Sequence, residues 1–175
     1  MNHGATTRAD RPAQCVVELA IGPVRLVASS VAILACAPVQ GEQRSATPDA
    51  FDGAPRDHAI LAQGARWLRA WELGATLPLP PIQPSGTHFQ REVWEALLRV
   101  PYGTTCTYGE VARAIARPRA HRAVATAIAQ NPVSILVPCH RVIGADGALR
   151  GFRWGIDTKA RLISWEAGVA RDGQG

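Results

Sequence analysis

No apolar run in the 175-residue chain approaches the length of a membrane span, and its start is polar, with Arg8, Asp10 and Arg11. A membrane partner is therefore not expected, and the cytoplasm is the default compartment. The four cysteines, Cys15, Cys36, Cys106 and Cys139, form no CxxC pair. Scattered cysteines in a cytosolic chain are normally reduced, and zinc requires clustered ligands. Cys15, Cys36 and a histidine such as His58 would meet only by tertiary accident, so neither metal nor cofactor is expected. A charged fraction of 19% is too low for disorder, and 47% apolar residues is a globular value. Acids are missing between Arg113 and Arg122, a stretch with four arginines and His121. Residues 1–88 balance seven arginines with seven acids, whereas 89–175 hold eleven arginines and Lys159 against seven acids. The whole net charge of +5 thus lies in the second half. Such an excess attracts phosphate backbones, although charge runs are also often plain solvated faces.

The chain divides into a tail (1–13), an α/β unit (14–80), a linker (81–86), a mostly helical unit (87–170) and a short tail (171–175). Val16 to Pro38 is rich in Val, Ile, Leu and Ala and interrupted by Gly22-Pro23, which predicts a hairpin or short meander. Residues 39–57 read as a polar loop. Ile60, Leu61, Ala65, Leu68 and Trp71 recur at helical spacing, and the prolines from Pro78 to Pro84 suggest an extended linker. In the second half, Thr87-x-x-Gln90 and Thr107-x-x-Glu110 are capping boxes that open two helices. Pro118 ends the second, and a third runs from about Arg119 to Asn131-Pro132. Two short helices joined by a tight turn have helix-turn-helix form, a weak signal by itself. A short buried strand is expected over Ile135–Val137, and a last helix from Asp157 to about Glu166, with Gly168 as its stop.

Pro138-Cys139-His140-Arg141-Val142-Ile143 follows that expected strand. A cysteine beside a histidine and an arginine is where a thiolate, the nucleophilic form, can be stabilised below the free pKa of about 8.5. Burial as an inert structural cysteine is the competing reading. Adjacent residues of an extended segment face opposite sides, so Cys139 and His140 need a water or a turn to communicate. A carboxylate would orient the histidine. Glu166, among Leu162, Ile163 and Trp165, is the candidate, against the usual exposed helix-end role of a glutamate. A cysteine hydrolase using Cys139 and His140 is one reading of this arrangement.

These segments occur together with Phe89-Gln90, Val93-Trp94, Tyr108, Arg122-Ala123-Val124, Asn131-Pro132 and Gly151-Phe152-Arg153-Trp154-Gly155. Over residues 86–168 the set resembles the O6-alkylguanine-DNA alkyltransferases, also called methylated-DNA–protein-cysteine methyltransferases. The resemblance implies a small N-terminal sheet with a helix, then a mostly α unit with the helix-turn-helix. Cys139 would take the alkyl group irreversibly from O6-alkylguanine, and O4-methylthymine is a further candidate substrate. His140 would act through water as the base, with Glu166 orienting it. Tyr108 would assist the leaving guanine, and Asn131 would tie the helix-turn-helix to Cys139. Arg122, Ala120, Ala123, Thr107 and Arg141 would meet double-stranded DNA from the minor groove, with Arg122 filling the space of an extruded nucleotide. Small residues, Ala120, Ala123 and Ala127, would let the second helix sit close to the groove. Pro138, Val142, Phe152 and Arg153 would wall the base pocket, and the protein would act as a monomer. Phe152 stands where many members carry tyrosine. Cys106 is a candidate for adventitious alkylation, with helix-start packing as the plainer reading.

Overall fold

The structure, a computed structural model, describes residues 12–40 and 58–172. The expected tails, apart from their inner residues, and most of the 39–57 loop lie outside that range. The expected meander is a three-stranded antiparallel sheet, β1 (Ala13–Val17), β2 (Val24–Ala28) and β3 (Ile33–Pro38), in the order β1-β2-β3. Alternation sends Cys15, Val17, Val24, Leu26, Ala28, Ile33 and Cys36 inward. Helix α1 (Ala59–Glu72) lays Ile60, Leu61, Ala65, Leu68 and Trp71 on that face. It comes close because Gly64 has no side chain. A Cβ there would stand 3.0 Å from Ile33 Cδ1 and 3.1 Å from Leu26 Cδ1. His58 caps α1, its Nδ1 accepting from the Leu61 N–H at 3.3 Å.

The proline-rich stretch connects the two halves and also packs on the first. Ile82 bridges Ile33 in parallel, with Ile33 N–H donating to Pro81 O (2.7 Å) and Gln83 N–H to Ile33 O (2.9 Å). Further along the same edge, Cys36 exchanges hydrogen bonds with Pro132 O (3.0 Å) and Ser134 N (2.8 Å). The outer edge of β3 is therefore satisfied by the linker at one end and by the second half at the other, which removes an open sheet edge. One hydrophobic cluster runs from Cys15 through Trp94 and Val124 to Leu162.

The second half contains α2 (His88–Leu97), β4 (Cys106–Thr107), α3 (Tyr108–Ala114), α4 (His121–Ala129), β5 (Val142–Ile143) and α5 (Ile156–Asp172). Both expected capping boxes form reciprocally, at Thr87/Gln90 and Thr107/Glu110. Indole N–H groups link the helices: Trp94 Nε1 donates to Ala127 O of α4 (2.8 Å), and Trp165 Nε1 to Glu72 O of α1 (2.9 Å). Among the described residues no helix is long and apolar enough to cross a membrane.

Two elements differ from the sequence expectation. Residues 134–137 are a tight turn instead of a strand, with Ile135 fully buried at φ +73°. A β-branched residue in the left-handed region is strained. Burial of the three apolar side chains holds it, and the same apolar run had suggested a strand. The last helix also continues past Gly168 to Asp172. A glycine within a helix costs only about 1 kcal/mol. The added turn is held by packing, since Val169 and Ala170 fit against Gly74 and Gly103.

Candidate active site and nucleic-acid interface

Parallel pairing of Cys106 with Val142 and of Thr107 with Ile143 sets the start of α3 beside the Cys139 segment. Cys139–Arg141 form a 3₁₀ turn, so Cys139 and His140 do not sit on an extended strand. This turn is one of the two routes that the sequence left open for Cys139 and His140. Asn131, fully buried directly after α4, accepts from Val133 N–H (3.0 Å) and donates to Val137 O (2.9 Å). It thereby closes the loop that carries the cysteine. Cys139 is 1% exposed, with Sγ 3.8 Å from Ser134 Oγ.

The expected lowering of the thiol pKa by neighbouring His or Arg is not what the resting site has. Burial pushes the Cys139 thiol up, while hydrogen bonding with Asn131 and Ser134 and the charge of Lys159 act against it. Burial likewise pushes His140 down, with Glu166 pulling it up. The resting pair is an uncharged thiol beside a neutral imidazole.

Glu166 is 1% exposed, so its helix-end reading does not hold. Its Oε1 accepts from His140 Nε2 (2.9 Å), Arg141 Nη2 (2.8 Å) and Trp71 Nε1 (2.7 Å). Its Oε2 accepts from Arg141 Nε (2.8 Å) and Gly103 N–H (3.3 Å). Burial alone would raise this carboxyl, but the hydrogen bonds and charges of His140 and Arg141 prevail and bring it to about 2. Gly103, at φ +71°, allows its N–H to approach, because a Cβ there would lie 2.7 Å from Ala170 Cβ. His140 keeps Nδ1 without a hydrogen-bond partner among the described residues, so that nitrogen is open to a proton relay.

Arg141 requires a correction. Expected at the DNA surface, it is 7% exposed, forks onto Glu166, donates to Val100 O (2.6 Å) and lies 5.6 Å from the Tyr102 ring centroid. Every part of its guanidinium is occupied inside the protein. Ala127 is corrected too: it is 2% exposed, packed against α2 and away from the outer face. Thr107 is half-buried, its hydroxyl engaged with Glu110 in the α3 cap. Arg122 and Ala123 are exposed near the start of α4, and Ala120 is half-buried at its N-cap. No side chain caps α4, so its first-turn N–H groups and Arg122 present donors toward an anionic backbone. Arg117, of the same arginine run, instead pairs with Glu92 (2.9 Å) over the Phe89 ring.

Of the residues expected to wall a base pocket, Pro138 and Val142 are buried, Phe152 is half-buried and Arg153 is exposed. Phe152 meets Trp154 edge-on, with centroids 5.2 Å apart. Tyr108 Oη donates to Arg150 O (2.9 Å), and burial pushes its pKa up. Cys106 is half-buried with its thiol pushed up to about 11, chiefly by burial. Among the described residues no group of three or more His, Cys, Asp or Glu is placed to hold a metal ion.

Lys159 escaped the sequence reading. It is fully buried, donates from Nζ to Arg150 O (2.7 Å) and sits 5.8 Å above the Tyr108 ring. Burial pushes it down to about 8, with Cys139 and Cys106 pulling it up. The available signal was rarity: it is the only lysine among 19 basic residues. A lysine, unlike arginine, can be tuned by burial. Lys159→Met is expected to slow alkyl uptake by about tenfold, the effect of roughly one pKa unit at the thiol. Because an unpaired buried charge is removed, the melting temperature should hold or rise. Between about pH 8 and the ordinary lysine value the unfolded chain holds the extra proton, so Lys159 contributes a climb in stability across that window, against the opposite contribution of the raised thiols. The Met variant should lack the climb in a thermal melt series.

A buried cysteine beside a histidine–glutamate pair, on a loop braced from the end of a helix pair of helix-turn-helix form, is the arrangement expected of a DNA-binding protein with a built-in nucleophile. Comparison with known proteins agrees. Residues 88–168 match the family model described as 6-O-methylguanine DNA methyltransferase, DNA binding domain. The methylated-DNA–protein-cysteine methyltransferase of Methanosarcina acetivorans is 38% identical over 152 residues, 86% of this chain and 96% of the relative. The bifunctional transcriptional activator/DNA repair enzyme Ada of Escherichia coli is 44% identical over 119 residues, 67% of this chain and 33% of its own length. The crystal structure of Mycobacterium tuberculosis OGT in complex with DNA superposes with a TM-score of 0.74 at 35% identity, covering 89% of this chain and 93% of that one. The chain belongs to the methylated-DNA–protein-cysteine methyltransferase family, DNA-repair proteins that transfer alkyl groups.

Proposed function

We propose that the protein removes the alkyl group from O6-alkylguanine in double-stranded DNA and keeps it on Cys139, one turnover per molecule. The observation that carries this reading is the buried line Glu166–His140 ending beside Cys139, with Asn131 bracing the loop from the end of α4. The thiol proton passes through a water to His140 Nδ1, and Glu166 stabilises the imidazolium. The thiolate attacks the alkyl carbon, so the C–S bond forms as the C–O6 bond breaks. The electron pair leaves on the guanine oxygen, and a hydrogen bond from Tyr108 Oη eases that charge. To do so, Tyr108 leaves Arg150 O, which Lys159 still holds. The thioether is stable, and no neighbouring group is available to remove it.

A sulfur this buried cannot reach O6 inside a duplex, so the base leaves the stack at a cost of a few kcal/mol. The protein approaches from the minor groove, and Arg122 on α4 fills the space left behind. It acts as a monomer in the cytoplasm. The α/β unit (14–80) and the alkyl-transfer unit (87–170), joined by 81–86, work as one body through their shared core. A hydrolase reading is disfavoured because it has no use for the exposed Arg122 or for the α3–α4 helix pair.

Intact-protein and peptide mass spectrometry after exposure to a duplex with one O6-methylguanine tests the proposal. One methylene of added mass on the Cys139 peptide, saturating at one per chain, is the expected result. An unmodified peptide from a chain that still holds the duplex would favour the rival reading, a sensor that binds alkylated bases without accepting the alkyl group. Arg122→Ala is expected to slow repair of duplex DNA by on the order of tenfold while barely altering reaction with a free O6-alkylguanine base. Equal slowing on both substrates would remove Arg122 from base extrusion.

A further inference from the structure

Trp71 lies on α1, outside the segment that matches the family model, and is 3% exposed. Its indole N–H donates to Glu166 Oε1 at 2.7 Å, the oxygen that also accepts from His140 Nε2 (2.9 Å) and Arg141 Nη2 (2.8 Å). The ring stands edge-on to His140, with centroids 6.4 Å apart and planes at 84°, and edge-on to Tyr102 at 6.3 Å. We propose that Trp71 is a positioning residue for alkyl transfer, through which the N-terminal unit fixes Glu166 and limits how tightly the His140–Glu166 pair holds a proton. The inference rests on the reading of Cys139 as acceptor and His140 as its base.

A carboxylate oxygen shared by three donors gives each of them less electron density. Removing the indole donor leaves Oε1 freer to bond His140 Nε2, which favours the protonated imidazole. His140 would then keep its proton to higher pH and be unavailable as a base in the acidic part of the range. The charged and titratable groups around the pair come from every packed element. Arg141, on the same turn, holds both oxygens of Glu166, and Lys159 of α5 acts on His140. Tyr102, before β4, faces Glu166 and Arg141, and Glu72 of α1 acts on Tyr102. Cys139 adjoins His140. None of these groups is removed by a change at position 71, so a shift in proton affinity is attributable to the indole.

The test follows alkyl uptake from O6-benzylguanine by the full-length chain, from about pH 5 to pH 9. Trp71→Phe removes the donor, and benzothienylalanine at position 71 removes it while keeping the shape of the ring. The expected result is an acid limb displaced upward by roughly half a pH unit, about threefold in proton affinity, with rates converging on wild type at high pH. A curve lowered by one factor at every pH, its acid limb unmoved, would overturn the proposal and leave Trp71 as core packing. If the Phe variant does not fold, the benzothienylalanine chain decides. Failure of the wild-type chain to gain mass at Cys139 would sink the acceptor reading itself. An active wild type with an unmoved limb sinks only the role of Trp71.

Discussion

Cys139→Ala is expected to abolish alkyl uptake while duplex binding stays within about twofold of wild type. The proposed chemistry runs through one sulfur, and nothing nearby replaces it. Cys106 is half-buried with a thiol raised to about 11, and Cys36 is fully buried with its thiol raised further still. The α4 groups proposed to meet DNA are far from the substitution in bonding terms, because the loop is braced through the Asn131 amide and the Val137 carbonyl. Loss of one buried sulfur is a small change in packing, on the order of 1 kcal/mol. Cys139→Ser separates shape from chemistry, since its hydroxyl fits but does not ionise near neutral pH, and uptake should again be absent. Intact mass and an electrophoretic shift assay on the same preparation read both quantities. Uptake that persists in the Ala variant would show that another residue is the acceptor.

Glu166→Ala should produce the largest loss of stability at any single polar position. It leaves Arg141 as a buried charge without its partner, His140 without its orienting acceptor, and the N–H groups of Trp71 and Gly103 unsatisfied. Breaking a buried pair from one side costs about 3–5 kcal/mol. Glu166→Gln keeps the volume and one acceptor oxygen and should cost less, yet it cannot stabilise an imidazolium. Uptake near neutral pH should therefore fall steeply in both variants. The acid response follows from the carboxyl, held at about 2 against an ordinary 4.5. A depressed carboxylate contributes stability that is fully present above the ordinary value and is lost as pH falls toward about 2. Wild type should lose stability through that window, and Glu166→Gln should show a flatter acid limb in denaturant titrations. Matching slopes for the two chains would mean that the carboxylate is not held by its donors as described.

Much of this protein is legible from local rules. Both capping boxes act over three residues, and α1 reads from the spacing of Ile60, Leu61, Ala65, Leu68 and Trp71. The meander follows from alternation around Gly22-Pro23. Cys139, His140, Asn131 and Arg122 were singled out by short motifs and the resemblance those motifs carry, and the structure buries the first three and exposes Arg122. Residues 134–137 were misread because an apolar run has the same composition whether it is strand or buried turn. Gly168 was misread as a stop because a helix continues when distant contacts outweigh a small propensity cost.

What the sequence determined by itself is most of the helices and the three-stranded meander, the motif around Cys139 and the basic balance of the half that matches the DNA-binding family model. Tertiary structure alone decided the partners of Glu166. Arg141 was expected at the DNA through the family resemblance, yet it is buried against that carboxylate. Trp71 and Lys159 entered the site from α1 and α5, at separations no local pattern encodes. The physical reason is that burial and distance set both pKa and hydrogen-bond choice. Those quantities exist only once the sheet, the linker and the last helix have closed around one core.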